Sequence, residues 1–411
     1  MSLTLLFDLD DTLLDTNLES FVPAYFQALT QYFESRIMPT VLLRSWIRGM
    51  SLMNESEDPT RTLQDVFDAD FYPNLGIPKD DLIDDLDKFY DEVFPTLESR
   101  TRQKPEAVPL IKWALECGFR VGIATDPLFP RKATHHRLRW AGFDPEQFEV
   151  ISTSEHFHFS KTHPAYYAEV LGRLGWPDGP VLMVGNDVRR DLIPANRLGL
   201  KTYFIDGETA SSPGFEAGRG KLAGVRPWLE SVNLSALEPS FKSPEAILGI
   251  MRSTPAVLRS ISSSLTEEEW RHEPVPDDWA MNEIVSHLRD TEIEIHQQQL
   301  NLMLEREDAF IPRPDTAVWA SEREYLNVDG ASALAEFASA RLANLAKLKN
   351  LNDEGWSRKA RHAIFGPTNF LEVTSFIADH DRMHIQQAWK TLKTPMAVDV
   401  KKDNQVGISR L

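Results

Sequence analysis

The sequence contains very little cysteine. Cys117 is the single cysteine among 411 residues, so the chain can form neither an internal disulfide bond nor a cysteine-based zinc cluster. A single cysteine gives no indication that the protein resides in an oxidising compartment. Because the residues around Cys117 are typical of a helix, we expect its thiol to pack as a small hydrophobic group.

Long hydrophobic runs are also missing. No apolar stretch approaches the roughly 18 residues that a membrane-spanning helix requires. The first residues lead directly into a predicted strand, without a basic region or a cleavage site. We therefore expect a soluble, cytoplasmic protein that has no membrane partner.

Positive charge is in deficit. The chain has 44 lysines and arginines against 62 aspartates and glutamates, which gives a net charge of -18. This excess of negative charge repels nucleic-acid phosphates and anionic membrane surfaces, so nucleic acid is not an expected partner either. The length and the apolar content of 42% predict two or three domains with hydrophobic cores.

Strand-like and helix-like segments alternate through the N-terminal half. This alternation predicts an α/β fold with a doubly wound parallel sheet. After the first strand, residues from about 17 to 100 show helical periodicity alone, which predicts an all-helical insert. The predicted strands of the sheet are residues 3–7, 120–124, 149–151, 181–184 and 202–205.

The strand signal disappears in the C-terminal part. Four helical stretches predict an all-α four-helix bundle there. They are residues 244–264, 280–304, 331–351 and 368–392. The resulting domain prediction is residues 1–232 for the α/β domain with its insert, 233–243 for a linker, 244–395 for the bundle and 396–411 for a tail.

Two aspartates directly follow the first predicted strand. Asp8 and Asp10 stand two residues apart in the sequence DLDDT, which ends with Thr12. Catalytic groups of open α/β sheets lie where the strands end. Two carboxylates can then divide a phosphoryl transfer, because one attacks phosphorus while the other carries the proton of the leaving group. The alternative is that these residues only cap the next helix.

Polar residues also follow later strands. Thr125 follows the second predicted strand, and Asn186 with Asp187 follows the fourth. In a parallel sheet Thr125, Asn186 and Asp187 would converge on Asp8 at one rim. The remaining motif is Lys161 in the segment SKTHPAYYAEV. A phosphoryl group crowded by carboxylates needs Mg2+ and a lysine to neutralise its charge, so the set is chemically coherent.

These four motifs, in this order, resemble those of the haloacid dehalogenase superfamily of phosphohydrolases. The resemblance implies that Asp8 is the nucleophile and Asp10 the general acid and base. It implies that Thr125 and Lys161 hold the phosphoryl group. The helical insert matches the family's cap, which closes over the substrate and excludes water. Because the family's dehalogenases lack an acid at the Asp10 position, we interpret the chain as a phosphatase.

The sequence departs from the family's pattern at two positions. Asn186 stands where the family often has an aspartate, so the resemblance leaves Asp187, Asp191 or both as Mg2+ ligands besides Asp8 and Asp10. An amide can still supply one oxygen. Asp126 follows Thr125 and would add negative charge beside an anionic substrate unless it points away. We count Thr12, Thr125 and Asp126 as candidate substrate-binding residues.

Three histidines form a second candidate site. His380 and His384 lie four residues apart and share one helix face, and His287 lies on an earlier helix. With Trp279 ahead of His287, this pattern resembles the DinB-like four-helix bundles. The resemblance implies a three-histidine site for a divalent metal, with Zn2+ and Ni2+ as candidates. The alternative is that the histidines are polar core residues bonded to Asp290, Glu294 or Asp379.

The sequence thus predicts a Mg2+-dependent phosphatase for a small phosphorylated metabolite, acting through an aspartyl-phosphate and joined to a metal-binding bundle. One alternative assigns the main chemistry to the bundle, as a metal-dependent transfer that involves a thiol. Another makes the bundle a module that dimerises the protein or regulates the phosphatase.

Overall fold

A computed structural model describes residues 2–206, 214–275 and 278–394. The predicted tail, residues 396–411, lies outside the described residues. Within the described ranges, no helix combines the length and the apolar character needed to cross a bilayer.

The N-terminal half is an α/β domain with a helical cap. In chain order its elements are β1 (Thr4–Phe7), β2 (Leu14–Asp15), α1 (Leu18–Phe33), α2 (Pro39–Glu55), α3 (Leu63–Leu75), α4 (Ile83–Lys88), β3 (Arg102–Gln103), α5 (Ala107–Glu116), β4 (Arg120–Ile123), α6 (Arg131–Trp140), β5 (Val150–Ile151), α7 (Pro164–Arg173), β6 (Val181–Gly185), α8 (Ile193–Leu198), β7 (Lys201–Ile205), β8 (Gly218–Gly220) and α9 (Val225–Ser231).

The main sheet has six strands in the order β5-β4-β1-β6-β7-β8, and all of its pairs are parallel. Strand β1 is central and fully buried, because its apolar residues face helices on both sides of the sheet. Phe7 pairs with Ile123 of β4 and Val184 of β6, so the chain leaves all three strands at one edge. The predicted doubly wound sheet is confirmed; the short strand β8 was not predicted.

The cap occupies the predicted insert. Helices α1 to α4, two 3-10 helices and one π-helical turn lie between β2 and β3, which pair with each other and so form the base of the cap. Aromatic side chains form its core: the Tyr25 ring packs edge-on against the rings of Trp46, Phe89 and Phe94. The cap also meets the α/β domain, where the carbonyl oxygen of Asn54 accepts a hydrogen bond from Ser160 Oγ at 3.0 Å.

The C-terminal part is a bundle of four long helices, as the sequence predicts. The second of these helices is continuous, because a π-helical turn (Glu292–His296) joins α12 to α13. The elements in chain order are α10 (Pro244–Ser262), α11 (Glu267–Trp270), α12 (Met281–Thr291), α13 (Gln297–Glu305), β9 (Ala309–Ile311), α14 (Trp319–Glu322), α15 (Gly330–Leu348), α16 (Asp353–Trp356), β10 (Lys359–His362), β11 (Gly366–Asn369) and α17 (Phe370–Lys393).

Two expectations about local structure are wrong. The bundle region is not free of strands, because β9, β10 and β11 form a small sheet beside the helices. These strands have three or four residues each, which is too short for a periodic signal. Cys117 is exposed rather than packed, since it caps the C-terminal end of α5 instead of lying on the buried helix face.

The α/β domain and the bundle share one hydrophobic core along α7 and α10. A Cβ atom on Gly172 would lie 2.5 Å from a methyl group of Val257, so the missing side chain permits this close approach. The indole Nε1 of Trp389 donates a hydrogen bond to the carbonyl oxygen of Gly172 at 2.7 Å. The segment between the domains is anchored too, since Leu237 is 1% exposed.

Candidate functional sites

The carboxylate that follows β1 is paired with a buried lysine. Lys161 Nζ donates to Asp8 Oδ1 at 2.7 Å and also forms an ion pair with Asp191. Lys161 is 1% exposed and Asp8 is 7% exposed. Burial alone would lower the pKa of Lys161, but the charges of Asp191 and Asp8 outweigh it and hold the pKa well above its usual range. The lysine therefore stays charged beside the candidate nucleophile.

Asp10 has two partners, and one of them is an arginine that the sequence analysis missed. Asp10 Oδ1 accepts a hydrogen bond from Thr16 Oγ1 at 2.8 Å, and Asp10 Oδ2 accepts one from Arg137 Nη1. Arg137 lies on α6 and is 1% exposed. Burial raises the pKa of Asp10, Arg137 opposes the rise, and Asp8 adds to it. A buried arginine without a local motif leaves no signal in the sequence.

The predicted metal ligands after β6 have different partners. Asp187 is exposed and caps the following turn, because its Oδ1 accepts from the backbone N–H groups of Arg189 and Arg190. Asp191 is buried, and its Oδ2 accepts from the backbone N–H groups of residues 186 and 187 at 2.9 Å each. Burial and then the Asp8 charge raise the pKa of Asp191, while Lys161 opposes the rise. Both aspartates thus hold the loop and the lysine in place.

The side chain of Asn186, unlike that of Asp187, lies beside Asp8 and Asp10. One end of its side-chain amide lies 3.2 Å from Asp8 Oδ2 and 3.2 Å from the carbonyl oxygen of Asp10, and with the nitrogen at that end the amide donates a hydrogen bond to both. With the amide oxygen at that end, the three acceptors would repel each other unless a cation lay among them. Oxygens bound to one Mg2+ ion at about 2.1 Å stand about 3 Å apart in an octahedron. The oxygen donors and their separation therefore fit Mg2+.

The three predicted substrate-binding residues lie close to these groups. Thr12 is fully buried, and its Oγ1 donates to Asn186 Oδ1 at 3.1 Å. Thr125 lines the same cavity as Asp8. Asp126 also lines the cavity and forms an ion pair with Arg190, so its negative charge is neutralised. The sequence analysis did not identify Arg190 as the partner of Asp126.

A cavity of about 280 Å³ is lined by Asp8, Asp10, Thr125, Asp126, Lys161 and Asn186, whereas Thr12 is not part of its lining. Leu18 and Val22 of α1 and Met50 of α2 line it from the cap, and Leu128 and Phe129 line it from the loop after β4. The lining also contains the aspartates with Lys161, Arg137 and Arg190, and Arg137 packs on the Phe129 ring. A small molecule bound here would have its charged end at the carboxyl edge of the sheet and its other end under the cap.

The three predicted histidines meet in the bundle. His380 Nε2 lies 3.1 Å from the Nε2 atoms of both His287 and His384. Gln387 Oε1 lies 2.8 Å from Nδ1 of His384, and the Trp279 ring stacks on the His384 ring. Among the described residues, these histidines are the group whose ligand atoms lie close enough together to hold a metal ion.

The histidines are held neutral. Burial, followed by the neighbouring histidines His384 and His296, lowers the pKa of His287 to about 3. Burial lowers the pKa of His384 to about 4. The pKa of His380 falls well below its usual range for the same reason, with the other histidines adding to the effect. Neutral imidazoles are the form that binds metal, so three converging Nε2 atoms fit a divalent ion such as Zn2+ or Ni2+.

The acidic residues proposed as alternative partners of the histidines are used elsewhere. Asp290 accepts hydrogen bonds from Arg323 and Tyr325. Glu294 pairs with Arg323, and Asp379 pairs with Arg382. The structure therefore does not bring these carboxylates to the histidine pair, and this alternative is not supported.

A buried charge cluster lies next to the histidine site, and the sequence analysis missed it. The fully buried Arg341 forms ion pairs with Asp381 and Glu292. His296 Nδ1 lies 3.0 Å from Glu292 Oε2, and the His296 ring packs edge-on against the His380 ring. Burial would raise the pKa of Glu292, but Arg341 outweighs burial and the pKa falls. The cluster thus fixes α12, α15 and α17 around the histidines.

The fold and the first site together define a hydrolase whose α/β domain carries a helical cap. This domain is joined to a helical bundle with a histidine cluster. Residues 3–199 match the family model of haloacid dehalogenase-like hydrolases, and residues 250–388 match that of the DinB superfamily. The chain therefore consists of a haloacid dehalogenase-like hydrolase domain followed by a DinB-like domain. Both resemblances recognised in the sequence are confirmed, and the protein is a hydrolase.

Individual relatives cover one half or the other. The pyrophosphatase PpaX of Bacillus pumilus (strain SAFR-032) is 28% identical over 211 residues, which are 50% of this chain and 86% of that protein. Among solved structures, a HAD phosphatase from Thermococcus onnurineus is 19% identical with a TM-score of 0.40, covering 56% of this chain and 98% of its own. YfiT from Bacillus subtilis, a four-helix bundle, is 18% identical with a TM-score of 0.34, covering 38% of this chain and 88% of its own.

Proposed function

We propose that the N-terminal domain is a Mg2+-dependent phosphatase that hydrolyses a small phosphorylated metabolite through an aspartyl-phosphate at Asp8. The observation that carries this proposal is the pairing of Asp8 with Lys161 in a cavity that also contains Asp10. Such a site offers a nucleophile, a cation for the phosphoryl oxygens and an acid for the leaving group. Its relatives named as pyrophosphatases also support hydrolysis of a bond between phosphorus and oxygen.

The reaction has two steps. In the first, a carboxylate oxygen of Asp8 attacks phosphorus, and the bond from phosphorus to the leaving oxygen breaks as Asp10 gives that oxygen a proton. In the second, Asp10 takes a proton from water, whose oxygen attacks phosphorus. The acyl-phosphate bond then breaks, which releases phosphate and restores the Asp8 carboxylate. Burial raises the pKa of Asp10 and so favours the protonated form that the first step needs.

The residues that would hold Mg2+ are Asp8, the carbonyl oxygen of Asp10 and Asn186. Bound Mg2+ supplies positive charge against the phosphoryl oxygens. Asp191 would act through Lys161 and the backbone of residues 186–187, which it holds by hydrogen bonds. The ligand roles inferred for Asp187 and Asp191 from the sequence stay predictions. A Mg2+ titration that compares Asn186→Ala with Asp187→Ala tests which of these two side chains binds the ion.

The test is hydrolysis of a panel of phosphorylated metabolites with Mg2+ by the whole protein and by Asp8→Asn. We expect Asp8→Asn to abolish activity, because an amide is a poor nucleophile while the shape is kept. Asp11→Asn is a matched control in the same loop, since the Asp11 Oδ1 atom only accepts backbone hydrogen bonds and an amide oxygen can accept them too. A phosphorylated protein trapped in acid and seen by mass spectrometry in the wild type would support the intermediate. Equal activity of both variants would contradict the proposal.

A second candidate function belongs to the bundle, and the convergence of its three Nε2 atoms favours it. There we propose a divalent metal site that supports transfer chemistry with a small thiol. A cavity of about 500 Å³ lies beside His380 and His296, and Phe365 and Phe376 line its mouth. This cavity gives a ligand a route to His380. Metal analysis of the purified protein should show one ion per chain, and His287→Ala should lose it while the control His135→Ala keeps it.

The two activities can be separated in the same protein. A thiol-dependent activity that His287→Ala abolishes and Asp8→Asn leaves intact would assign that chemistry to the bundle. If His287→Ala instead changes the elution volume of the whole protein in size-exclusion chromatography, the bundle mediates a homodimer.

A further inference from the structure

We infer that the substrate is a phosphate monoester with a small apolar leaving group, and not inorganic pyrophosphate. This inference rests on the proposed phosphatase function and adds the substrate class. The relatives with similar sequences are named as pyrophosphatases. The inferred substrate class therefore differs from the activity in their names.

The first argument is the balance of charge around the catalytic cavity. Each cation that lines it is already paired with a carboxylate. Its lining contains five carboxylates and three cations, an excess of two negative charges. In the proposed reaction Lys161 and one divalent cation would neutralise the phosphoryl group, and among the described residues that line the cavity no cation without a carboxylate partner is left for a second phosphate. The pairs are Arg137 with Asp10, Arg190 with Asp126, and Lys161 with both Asp8 and Asp191.

The second argument is the chemistry of the wall that would face the leaving group. Among the described residues that line the cavity, the cap contributes only Leu18, Val22 and Met50. Leu128 and Phe129 continue this apolar wall from the loop after β4. A second phosphate placed here would lose water beside a wall where the one adjoining cation, Arg137 on the Phe129 ring, is already paired with Asp10, which is costly for a charged group. An alkyl or aryl group would bury apolar surface instead.

The third argument is size. The cavity of about 280 Å³ is at the lower end of small-molecule sites, which typically measure about 300–1,000 Å³. Part of this volume must hold the phosphoryl group beside Lys161. What remains under the cap fits a short apolar group better than a sugar ring or a nucleoside.

The test compares three substrates with the whole protein and Mg2+: n-butyl phosphate, glycerol phosphate and inorganic pyrophosphate. Butyl and glycerol phosphate differ mainly in the polarity of the leaving group. We expect kcat/KM for butyl phosphate to exceed that for each of the others by at least about tenfold, the lower range of discrimination by an apolar pocket. Pyrophosphate or glycerol phosphate hydrolysed as well as butyl phosphate would overturn this inference alone. If none of the three is hydrolysed while another metabolite of the panel is hydrolysed in an Asp8-dependent way, the inference fails and the proposed function stands; if the whole panel also stays unhydrolysed, both fail.

A charge placed in the cap wall provides a second test. Leu18 is 44% exposed at the cavity, so Leu18→Lys should fold. We expect it to shift the ratio of pyrophosphate to butyl phosphate hydrolysis upward by about tenfold, since it supplies the missing cation. Leu52→Lys is the matched control, because Leu52 is an exposed cap leucine that does not line the cavity. Equal ratios in the two variants would overturn the inference.

Discussion

Arg137 donates a hydrogen bond to the carboxylate of Asp10 across 127 residues of sequence. The guanidinium also donates to Thr134 Oγ1 at 3.2 Å and packs on the Phe129 ring, so its position is fixed on three sides. This contact orients the proposed acid and opposes the rise in its pKa that burial causes. Arg137 is therefore a positioning residue for Asp10.

Removing this cation should shift the pH dependence of hydrolysis. In Arg137→Gln the pKa of Asp10 rises further, because burial and Asp8 still raise it while only the hydrogen bond from Thr16 still opposes them. Asp10 then stays protonated to higher pH, so the fall of kcat/KM on the alkaline side should move up by on the order of one pH unit. Arg137→Lys, which keeps the charge, should restore the profile. Arg139→Gln on the same helix is the control, and an unmoved profile in Arg137→Gln would refute the role.

Lys161→Met should lower kcat by roughly 10²–10³, the effect of removing one charge-stabilising donor from an active site. The variant also leaves Asp8 and Asp191 as neighbouring buried carboxylates without their cation, so it should be less stable to heat. Lys132→Met is the control, because Lys132 pairs with Asp87 and Asp91 away from the catalytic cavity. Steady-state kinetics and thermal melting measure the two effects, and full activity of Lys161→Met would contradict the mechanism.

The histidine site should make the metal-free protein sensitive to acid. The pKa values of His287 and His384 are about 3 and about 4 in the folded state and about 6.5 when unfolded. Between these values the unfolded chain binds more protons. The free energy of unfolding is therefore highest above pH 6.5 and decreases as the pH falls, by at most about 1.4 kcal/mol per unit for each histidine.

Denaturant unfolding of the metal-free protein between pH 7 and pH 5 measures this slope. His384→Gln should flatten it by removing one of the contributing groups. An equally steep slope in this variant would show that other groups are responsible. Bound metal should leave this slope no less steep, because the ion also keeps the imidazoles free of protons while the unfolded chain still takes protons up.

The buried cluster around Arg341 should be sensitive to the loss of its cation. Arg341→Met leaves Asp381 and Glu292 buried without their cation, and breaking a buried ion pair in this way costs about 3–5 kcal/mol. Arg289→Met is the milder control, because Arg289 is partly exposed and its partner Asp290 keeps Arg323. Denaturant unfolding compares the two variants. If Arg341→Met lowers the free energy of unfolding by as little as Arg289→Met does, the cluster contributes little to stability.

Much of the architecture could be predicted from sequence, because the signals are local. Buried parallel strands appear as short apolar runs, and amphipathic helices appear as a period of 3.6 residues. Asp8 and Asp10 stand out since both follow one strand, and His380 and His384 stand out since they lie one helical turn apart. The strands β8, β10 and β11 could not be predicted in this way, because their sequences GRG, KARH and GPTN are not apolar runs, and β9 has only three residues.

The sequence by itself thus determined the two domains, their fold classes and the candidate catalytic and metal-binding groups. Only the tertiary structure decided how those groups are paired and which side chains face the cavity. It turns Asn186 toward Asp8 while Asp187 caps a turn, and it places Arg137 on Asp10 and Arg190 on Asp126. These contacts join residues far apart in the chain, and their geometry follows from how helices and strands pack rather than from any local pattern.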